Sequence, residues 1–104
     1  MSEHKWYTKD HIWLDPGPDG MLLVGITGLG NDLLNGIVSV TVEDGELVVE
    51  SVKTAMTVEL PVKGELESLS ETWQDEVPVA RFRQGWQVDE SGTMDASAYW
   101  DDLR

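Results

Sequence analysis

The chain has 104 residues, which is enough for a hydrophobic core but short for several domains, so one domain is predicted over residues 1–104. Its 20 acidic and 7 basic residues give a formal net charge of −13, which argues against nucleic acid and anionic membranes as partners, because phosphate binding depends on Lys and Arg. There is no cysteine, so disulfides, zinc sites built on thiolates and unaided thiol redox chemistry are excluded.

The N-terminal part is predicted to form two strands joined by a turn. Strand-forming residues over Trp6 to Leu14 predict the first strand, and Met21 to Ile26 predict the returning one. The run from Asp15 to Gly20 contains two prolines and two glycines, which is typical of a turn. No stretch has the apolar character of a signal peptide or a membrane span, so a cytoplasmic protein is expected.

A short helix is predicted near residues 28–34. Thr27 can cap its first turn, and Asn35 and Gly36 are typical of its end. The glycines in this region fit neither a dinucleotide-binding fingerprint nor a Walker loop, so no nucleotide site is predicted.

The next strand, over residues 37–42, alternates strictly. The alternation predicts that Val38, Val40 and Val42 share one face, opposite Ser39 and Thr41. Asp44 and Gly45 then predict a tight hairpin that places Val42 opposite Leu47.

The segment 47–64 is the centre of the predicted fold. Folding it in half at Val52 and Lys53 predicts five cross-strand pairs: Ser51 with Thr54, Glu50 with Ala55, Val49 with Met56, Val48 with Thr57, and Leu47 with Val58. One face of this hairpin is apolar and the other is mostly polar, which indicates a half-buried hairpin with Lys53 at its tip. The tip lacks Asn-Gly and Asp-Gly, so the sequence leaves its turn type open.

Lys53 itself has two interpretations. A lysine in a turn is usually a solvated charge. An amine on a rigid, protruding turn can also be acylated by an enzyme that approaches from outside, and its long side chain then carries the attached group away from the fold. Position alone leaves both interpretations open.

The C-terminal half predicts short strands and a closing helix. The strands are expected over 62–69, with a bend at Gly64, over 77–82 and over 86–88. The helix is expected near 95–103, capped by Asp95 and docked through an apolar stripe of Ala96, Tyr99, Trp100 and Leu103.

Histidines and acids predict neither a metal site nor an active site. His4 and His11 lack metal-ligand spacing, and His11 is expected to be structural, beside Trp13. The sequence gives no reason to expect Ser, His and a carboxylate to converge, so the chain is not predicted to be an enzyme.

Four motifs occur in the order used by one known family. They are His11-Ile12-Trp13, Gly25-Ile26-Thr27, the tip segment Glu50-Ser51-Val52-Lys53-Thr54 with Leu60-Pro61-Val62-Lys63-Gly64-Glu65 downstream, and Gly85-Trp86. Through them the chain from about Trp6 to Leu103 resembles the glycine cleavage system H protein family.

The resemblance implies a mostly β fold, a lipoyl/biotinyl-type barrel-sandwich hybrid of short antiparallel strands, in a monomer. It implies that lipoate is attached covalently to Lys53 by a lipoate ligase or octanoyl transferase, which recognises the tip through Glu50, Ser51, Val52 and Thr54. It further implies a carrier whose lipoyl group visits dihydrolipoyl dehydrogenase and, in glycine cleavage, the pyridoxal-phosphate-dependent glycine decarboxylase and the aminomethyltransferase.

Three departures from the family pattern bear on the carried group and the loops. Ile12 and Thr57 stand where the family usually has carboxylates that hold the amine of an aminomethyl group, and the connection at 43–46 is shorter than in the family. The two missing carboxylates favour a divergent H-like carrier for another pathway, such as sulfur oxidation or lipoate-dependent ADP-ribosylation, although the sequence leaves the pathway open. The shorter connection predicts a trimmed version of the same sandwich.

Two further interpretations remain open. A biotin carrier would have Met on both sides of the lysine, whereas this chain has Val52 and Thr54. An unmodified adaptor domain of the same fold would need no modification of Lys53 at all.

Overall fold

A computed structural model describes residues 3–101 of the chain. Within these residues the chain is mostly β, with short strands and two short α-helices. The strands are β1 Trp6–Tyr7, β2 Ile12–Pro16, β3 Leu22–Ile26, β4 Ile37–Glu43, β5 Glu46–Ser51, β6 Ala55–Val58, β7 Val62–Lys63, β8 Leu66–Ser68, β9 Ala80–Phe82 and β10 Gln87–Val88; the helices are α1 Gly28–Leu33 and α2 Ala96–Asp101. Neither helix in this part of the chain is long and apolar enough to cross a membrane.

Antiparallel sheets enclose the core. Five strands pair in the order β1-β2-β3-β9-β8, three pair in the order β4-β5-β6, and β10 pairs with β7. The core consists of apolar side chains from the two larger sheets, including Leu14, Leu22, Val24 and Phe82 from the first and Val40, Leu47 and Val49 from the second. The three-stranded sheet of β4, β5 and β6 therefore buries one face against the core and exposes the other face to solvent.

The predicted single strand over Trp6 to Leu14 is wrong. These residues form a hairpin in which Trp6 pairs with Leu14. The hairpin turns where the His11 N–H donates to the Thr8 carbonyl at 3.1 Å, and His11 adopts a left-handed φ of 64°. Neither glycine nor proline marks this turn, so the sequence carried no local signal for it.

The predicted strand over 62–69 is also divided. Gly64 has a φ of 153°, and a Cβ atom there would lie 3.3 Å from atoms of Phe82 and Trp86. The bend at Gly64 is confirmed, but it sends β7 to pair with β10 and β8 to pair with β9. The strand predicted over 77–82 is shortened to β9.

The predicted helix and tight hairpin are confirmed. Thr27 caps α1, since its hydroxyl accepts from the Gly30 N–H at 3.1 Å. Asp44 and Gly45 both have positive φ, 51° and 76°, as the tightest hairpin turns require. Val42 lies opposite Leu47, as predicted.

The alternation predicted for β4 is wrong at Val38. Ile37 pairs with Ser51 and Ser39 pairs with Glu50, so Val38 is an extra residue in a β-bulge. Val40 is buried in the core as expected, but the Val38 side chain is 60% exposed.

The C-terminal helix docks on the sandwich, as predicted, and the strand that it contacts is β1. The rings of Tyr7 and Tyr99 stack with centroids 4.4 Å apart. Asp95 caps the helix by accepting from the Ala98 N–H at 2.8 Å. The predicted end of this helix, with Leu103, lies outside the described residues.

A second aromatic stack is built around Trp13. Its side chain lies directly over Gly25, and a Cβ atom at that position would come within 2.1 Å of the indole ring. The His4 ring stacks on Trp13 at 4.0 Å and is held by Asp15 and Glu76, with 2.8 Å between His4 Nε2 and the Glu76 carboxylate. The histidine packed on Trp13 is therefore His4, whereas His11 bonds to Tyr99.

Candidate functional site

The hairpin of β5 and β6 has the predicted register. Leu47 pairs with Val58, and the pairing continues through Val49 and Met56 to the last rung at the turn. That rung is closed by the Ser51 N–H, which donates to the Thr54 carbonyl at 2.7 Å. The hairpin is paired along its whole length, so the turn beyond it has a fixed base.

The turn is organised by the Ser51 side chain. Its hydroxyl oxygen accepts from the Lys53 N–H at 3.3 Å and from the Thr54 N–H at 3.2 Å, and it donates to the Thr54 carbonyl at 3.1 Å. Neither Val52 nor Lys53 adopts a positive φ. The turn therefore needs no glycine, which explains why the Asn-Gly signal is absent.

The Lys53 amine faces solvent. Lys53 is exposed, and the Val52 side chain beside it is 77% exposed. Glu50 is also exposed and lies opposite Ala55 on the face of the sheet turned away from the core. Within residues 3–101 neither Lys53 nor Glu50 takes part in an ion pair, so both charges are available to a partner.

A mostly apolar cleft of about 220 Å³ opens against the inner face of the same hairpin. Val49 and Met56 form one rung of its wall, three to four residues from Lys53 and so about 10 Å along the strands. Its other walls come from the first hairpin, β3, α1 and the end of β6: Lys9, Asp10, His11, Ile12, Ile26, Gly30, Leu33, Leu34 and Val58.

The polar rim of the cleft is ordered by a hydrogen-bonded chain. The Tyr99 hydroxyl lies 2.8 Å from His11 Nδ1 and 2.9 Å from the hydroxyl of Thr27, the residue that caps α1. Burial lowers the pKa of His11, and the Asp10 carboxylate opposes this with a smaller effect. A neutral His11, whose Nδ1 accepts a hydrogen bond from the Tyr99 hydroxyl, is consistent with both the 2.8 Å distance and the lowered pKa.

We expect the contribution of His11 to the stability of the fold to be lost as the pH falls below about 6.5, the ordinary histidine pKa. Because the folded chain lowers the pKa of His11, the unfolded chain binds the proton more readily, and stability present above that pH is lost toward the folded pKa. The free energy of unfolding in urea, measured from pH 7.5 to 5.5, tests this. His11→Asn is the control, since Asn does not titrate and tolerates the positive φ of this position. Equal pH slopes for the two proteins would contradict the expectation.

The structure groups the predicted tip residues but places Ile12 and Thr57, which stand where the family usually has carboxylates, in different surroundings. Glu50, Ser51, Val52 and Thr54 all lie within three residues of Lys53, at the turn or on the last rungs. Ile12 is buried, 1% exposed, and lines the cleft. Thr57 is exposed and lies outside the cleft lining, beside a neighbouring depression.

Two features were not predicted from the sequence. The cleft forms only when the first hairpin, α1 and the tip hairpin meet, so no local pattern announces it. The bulge at Val38 interrupts a strand whose sequence alternates without a break.

Residues 3–101 contain no group of three His, Asp or Glu side chains placed to hold a metal ion.

Comparison with known proteins gives a consistent result. The family model described as "Glycine cleavage H-protein" matches residues 5–88. A glycine cleavage system H protein of Psychrobacter cryohalolentis is 35% identical over 92 residues, covering 77% of this chain and 73% of that protein. The corresponding protein of Cronobacter sakazakii is 33% identical over 113 aligned positions, covering 89% of this chain and 88% of that protein. That alignment is longer than the chain itself, so the relative carries residues that this shortened chain lacks.

The fold also matches a solved structure. A crystal structure of a glycine cleavage system H protein from Mycobacterium marinum superposes with a TM-score of 0.71, at 21% identity, covering 99% of this chain and 98% of that one. This match confirms the predicted barrel-sandwich arrangement of short antiparallel strands.

Proposed function

Because the chain belongs to the glycine cleavage H-protein family, we propose that it is a lipoyl carrier in which lipoate is bound covalently to Lys53. In this proposal residues 1–104 act as one carrier domain, and a lipoate ligase or octanoyl transferase loads it. The observation that carries the proposal is the position of Lys53 at the exposed apex of a fully paired hairpin.

Loading is an acyl transfer that the geometry of the tip permits. The unprotonated Lys53 nitrogen attacks the carbonyl carbon of an activated lipoyl or octanoyl donor, the donor's leaving group departs, and the nitrogen gives up a proton as the amide forms. A neighbouring carboxylate would favour the protonated amine, which cannot attack, and within residues 3–101 Lys53 has no ion-pair partner. The Ser51 hydroxyl fixes the turn, so the amine is presented without a disordered loop.

The cleft beneath the hairpin is suited to bind the apolar part of a lipoyl-lysine side chain. When bound, lipoate supplies a dithiolane that carries a group or two electrons between partner enzymes. The cleft beneath the hairpin begins at the rung of Val49 and Met56, and its walls are mainly aliphatic. Such walls fit the hydrocarbon part of a lipoyl-lysine.

A second candidate function is lipoyl carriage in a pathway other than glycine cleavage, and the residues that line the cleft favour it. Among residues 3–101, Asp10 is the one carboxylate in the cleft lining, Lys9 is its neighbour, and burial lowers the pKa of His11. Ile12 occupies the wall where the resemblance expects an acid. The cleft therefore offers no net negative charge to a cationic aminomethyl group, which favours a carrier that serves a pathway other than glycine cleavage.

Mass spectrometry tests both levels of the proposal. Incubation with lipoate, ATP and a lipoate ligase is expected to add one lipoyl group, mapped to Lys53 by peptide analysis. The loaded protein is then given glycine and glycine decarboxylase. An aminomethyl adduct would assign it to glycine cleavage, and its absence with an authentic H protein as positive control would assign it to another pathway. A chain that never gains lipoyl mass overturns the carrier role.

A further inference from the structure

The bulge in β4 turns the Val38 side chain outward, next to the hairpin of β5 and β6 that carries Lys53. Ile37 and Val40 both pack against the core, although strict alternation would place residues three apart on opposite faces. The register shift between Ile37 and Ser39 resolves this conflict by inserting Val38 as an extra residue. Both Val38 and Ser39 consequently lie away from the core.

Val38 joins a small exposed surface around the tip. Ser39, its neighbour in the bulge, pairs with Glu50, and Glu50 pairs on its other side with Ala55. Val38 is 60% exposed, and Val52 at the apex is 77% exposed. We call Val38, Glu50, Val52 and Ala55 the tip face. It consists of three exposed apolar residues around one carboxylate.

An exposed valine is ordinary when it stands alone. The position of Val38 in a bulge distinguishes it from an ordinary exposed valine, because bulges often lie beside functional sites and redirect a side chain there. Without the bulge, alternation would have placed Val38 on the core side with Val40 and Val42. The bulge instead places its methyl groups within one rung of Ser51, at the base of the lysine turn.

We propose that Val38, on a strand that does not carry the lysine, is a specificity-determining contact for the enzyme that acylates Lys53, and that it extends the tip recognition implied by the family resemblance across the tip face. This inference rests on the proposed function. The partner is an acyltransferase or ligase whose entrance presents an apolar patch for Val38 and Val52, and a cationic side chain for Glu50.

Charge and geometry both favour this partner. An enzyme that takes the Lys53 amine into its catalytic centre must contact the surface surrounding the turn, and the tip face is the outward part of that surface. Glu50 has no ion-pair partner within residues 3–101, so a cationic group of the enzyme gains an unshared carboxylate. The net charge of −13 further steers the chain toward a basic entrance.

The test compares Val38→Lys with a matched control. Lysine at position 38 removes the apolar contact and places a cation beside Glu50, where it opposes the enzyme's own cation. The control is Val77→Lys, since Val77 is 40% exposed in the loop before β9, outside the sheet that carries the tip. Thermal unfolding of both variants confirms that each is folded.

Loading kinetics with a lipoate ligase, lipoate and ATP are followed by intact mass. For Val38→Lys we expect kcat/KM for the carrier to fall roughly tenfold through a raised KM, as for a docking residue, with kcat nearly unchanged. Val77→Lys should match the wild type. Val38→Ala, which keeps the charge pattern and removes only methyl groups, should give a smaller loss of the same kind.

Three outcomes overturn the inference, and they are distinguishable. If Val38→Lys and the wild type load with equal kcat/KM, the docking surface is refuted while the carrier role stands. If Val38→Lys loads normally but fails in a later reaction with another enzyme, the tip face serves that other partner. If the wild type gains no lipoyl mass, the proposed function fails and this inference fails with it.

Discussion

Lys53→Arg is expected to abolish lipoyl loading completely while leaving the fold unchanged. Arginine keeps the positive charge, but its guanidinium stays protonated at all ordinary pH values and is a poor acyl acceptor. Lys53 is exposed and makes no ion pair within residues 3–101, so the free energy of unfolding should change by less than about 0.5 kcal/mol. Intact mass after incubation with a lipoate ligase measures the first effect, and urea unfolding measures the second.

The other three lysines supply the matched controls. Lys63→Arg changes the exposed lysine of β7, which lies beside the bend at Gly64, and it should load like the wild type. A variant with Lys5, Lys9 and Lys63 all changed to Arg keeps only Lys53 and should gain one lipoyl group. Loading of Lys53→Arg, or loss of loading in the triple variant, would show that the modified residue has been misassigned.

Gly25→Ala should destabilise the fold by at least about 3 kcal/mol. The added methyl group would lie 2.1 Å from two carbons of the Trp13 ring, far closer than atoms can approach. The indole cannot move away freely, because it is 3% exposed and His4 stacks on its ring. Urea unfolding at neutral pH measures the loss.

Gly28→Ala is the control for this substitution. Its Cβ atom would lie 3.3 Å from a carboxylate oxygen of Asp75, an ordinary side chain that can shift, and the residue begins α1. Alanine there should be neutral or stabilise by up to about 1 kcal/mol. A Gly25→Ala protein as stable as Gly28→Ala would mean that Trp13 does not pack on Gly25 as described.

The tip hairpin was predictable because several local signals agreed. Apolar and polar residues alternate on both sides of Val52 and Lys53, and a shift of one residue would turn the apolar face to solvent. The pairing of Leu47 with Val58 follows from that alternation alone. The positive φ values of Asp44 and Gly45 likewise follow from residue types that tolerate them.

The misplaced elements share a physical cause. The turn at Thr8 to His11 contains no glycine or proline, and its left-handed residue is a histidine held by Tyr99 from the far end of the chain. The bulge at Val38 lets both Ile37 and Val40 pack inward, a demand set by the facing sheet. Contacts between residues far apart in the sequence determine both the turn and the bulge. The alternation of residue types along a single strand does not indicate such contacts.

The candidate site was predictable only in part for the same reason. Lys53 and its flanking residues are contiguous, so the sequence itself places them together. The cleft instead combines Ile12, Ile26, Leu33 and Met56 from four separate elements. The sequence marks Ile12 as a departure from a family pattern, but only the folded chain shows that it lines the cleft against the inner face of the hairpin that carries Lys53.

The Ser51 hydroxyl bonds have a kinetic consequence for the proposed carrier. With lipoate bound to Lys53 as proposed, they would anchor the base of the lipoyl arm, so its reach would come from the side chain and its attachment rather than from a flexible polypeptide tether. Such an arm cannot visit a second enzyme while the carrier remains seated on the first. Each transfer then requires the entire molecule to depart, and the residence time on every partner sets an upper bound on flux through the whole cycle.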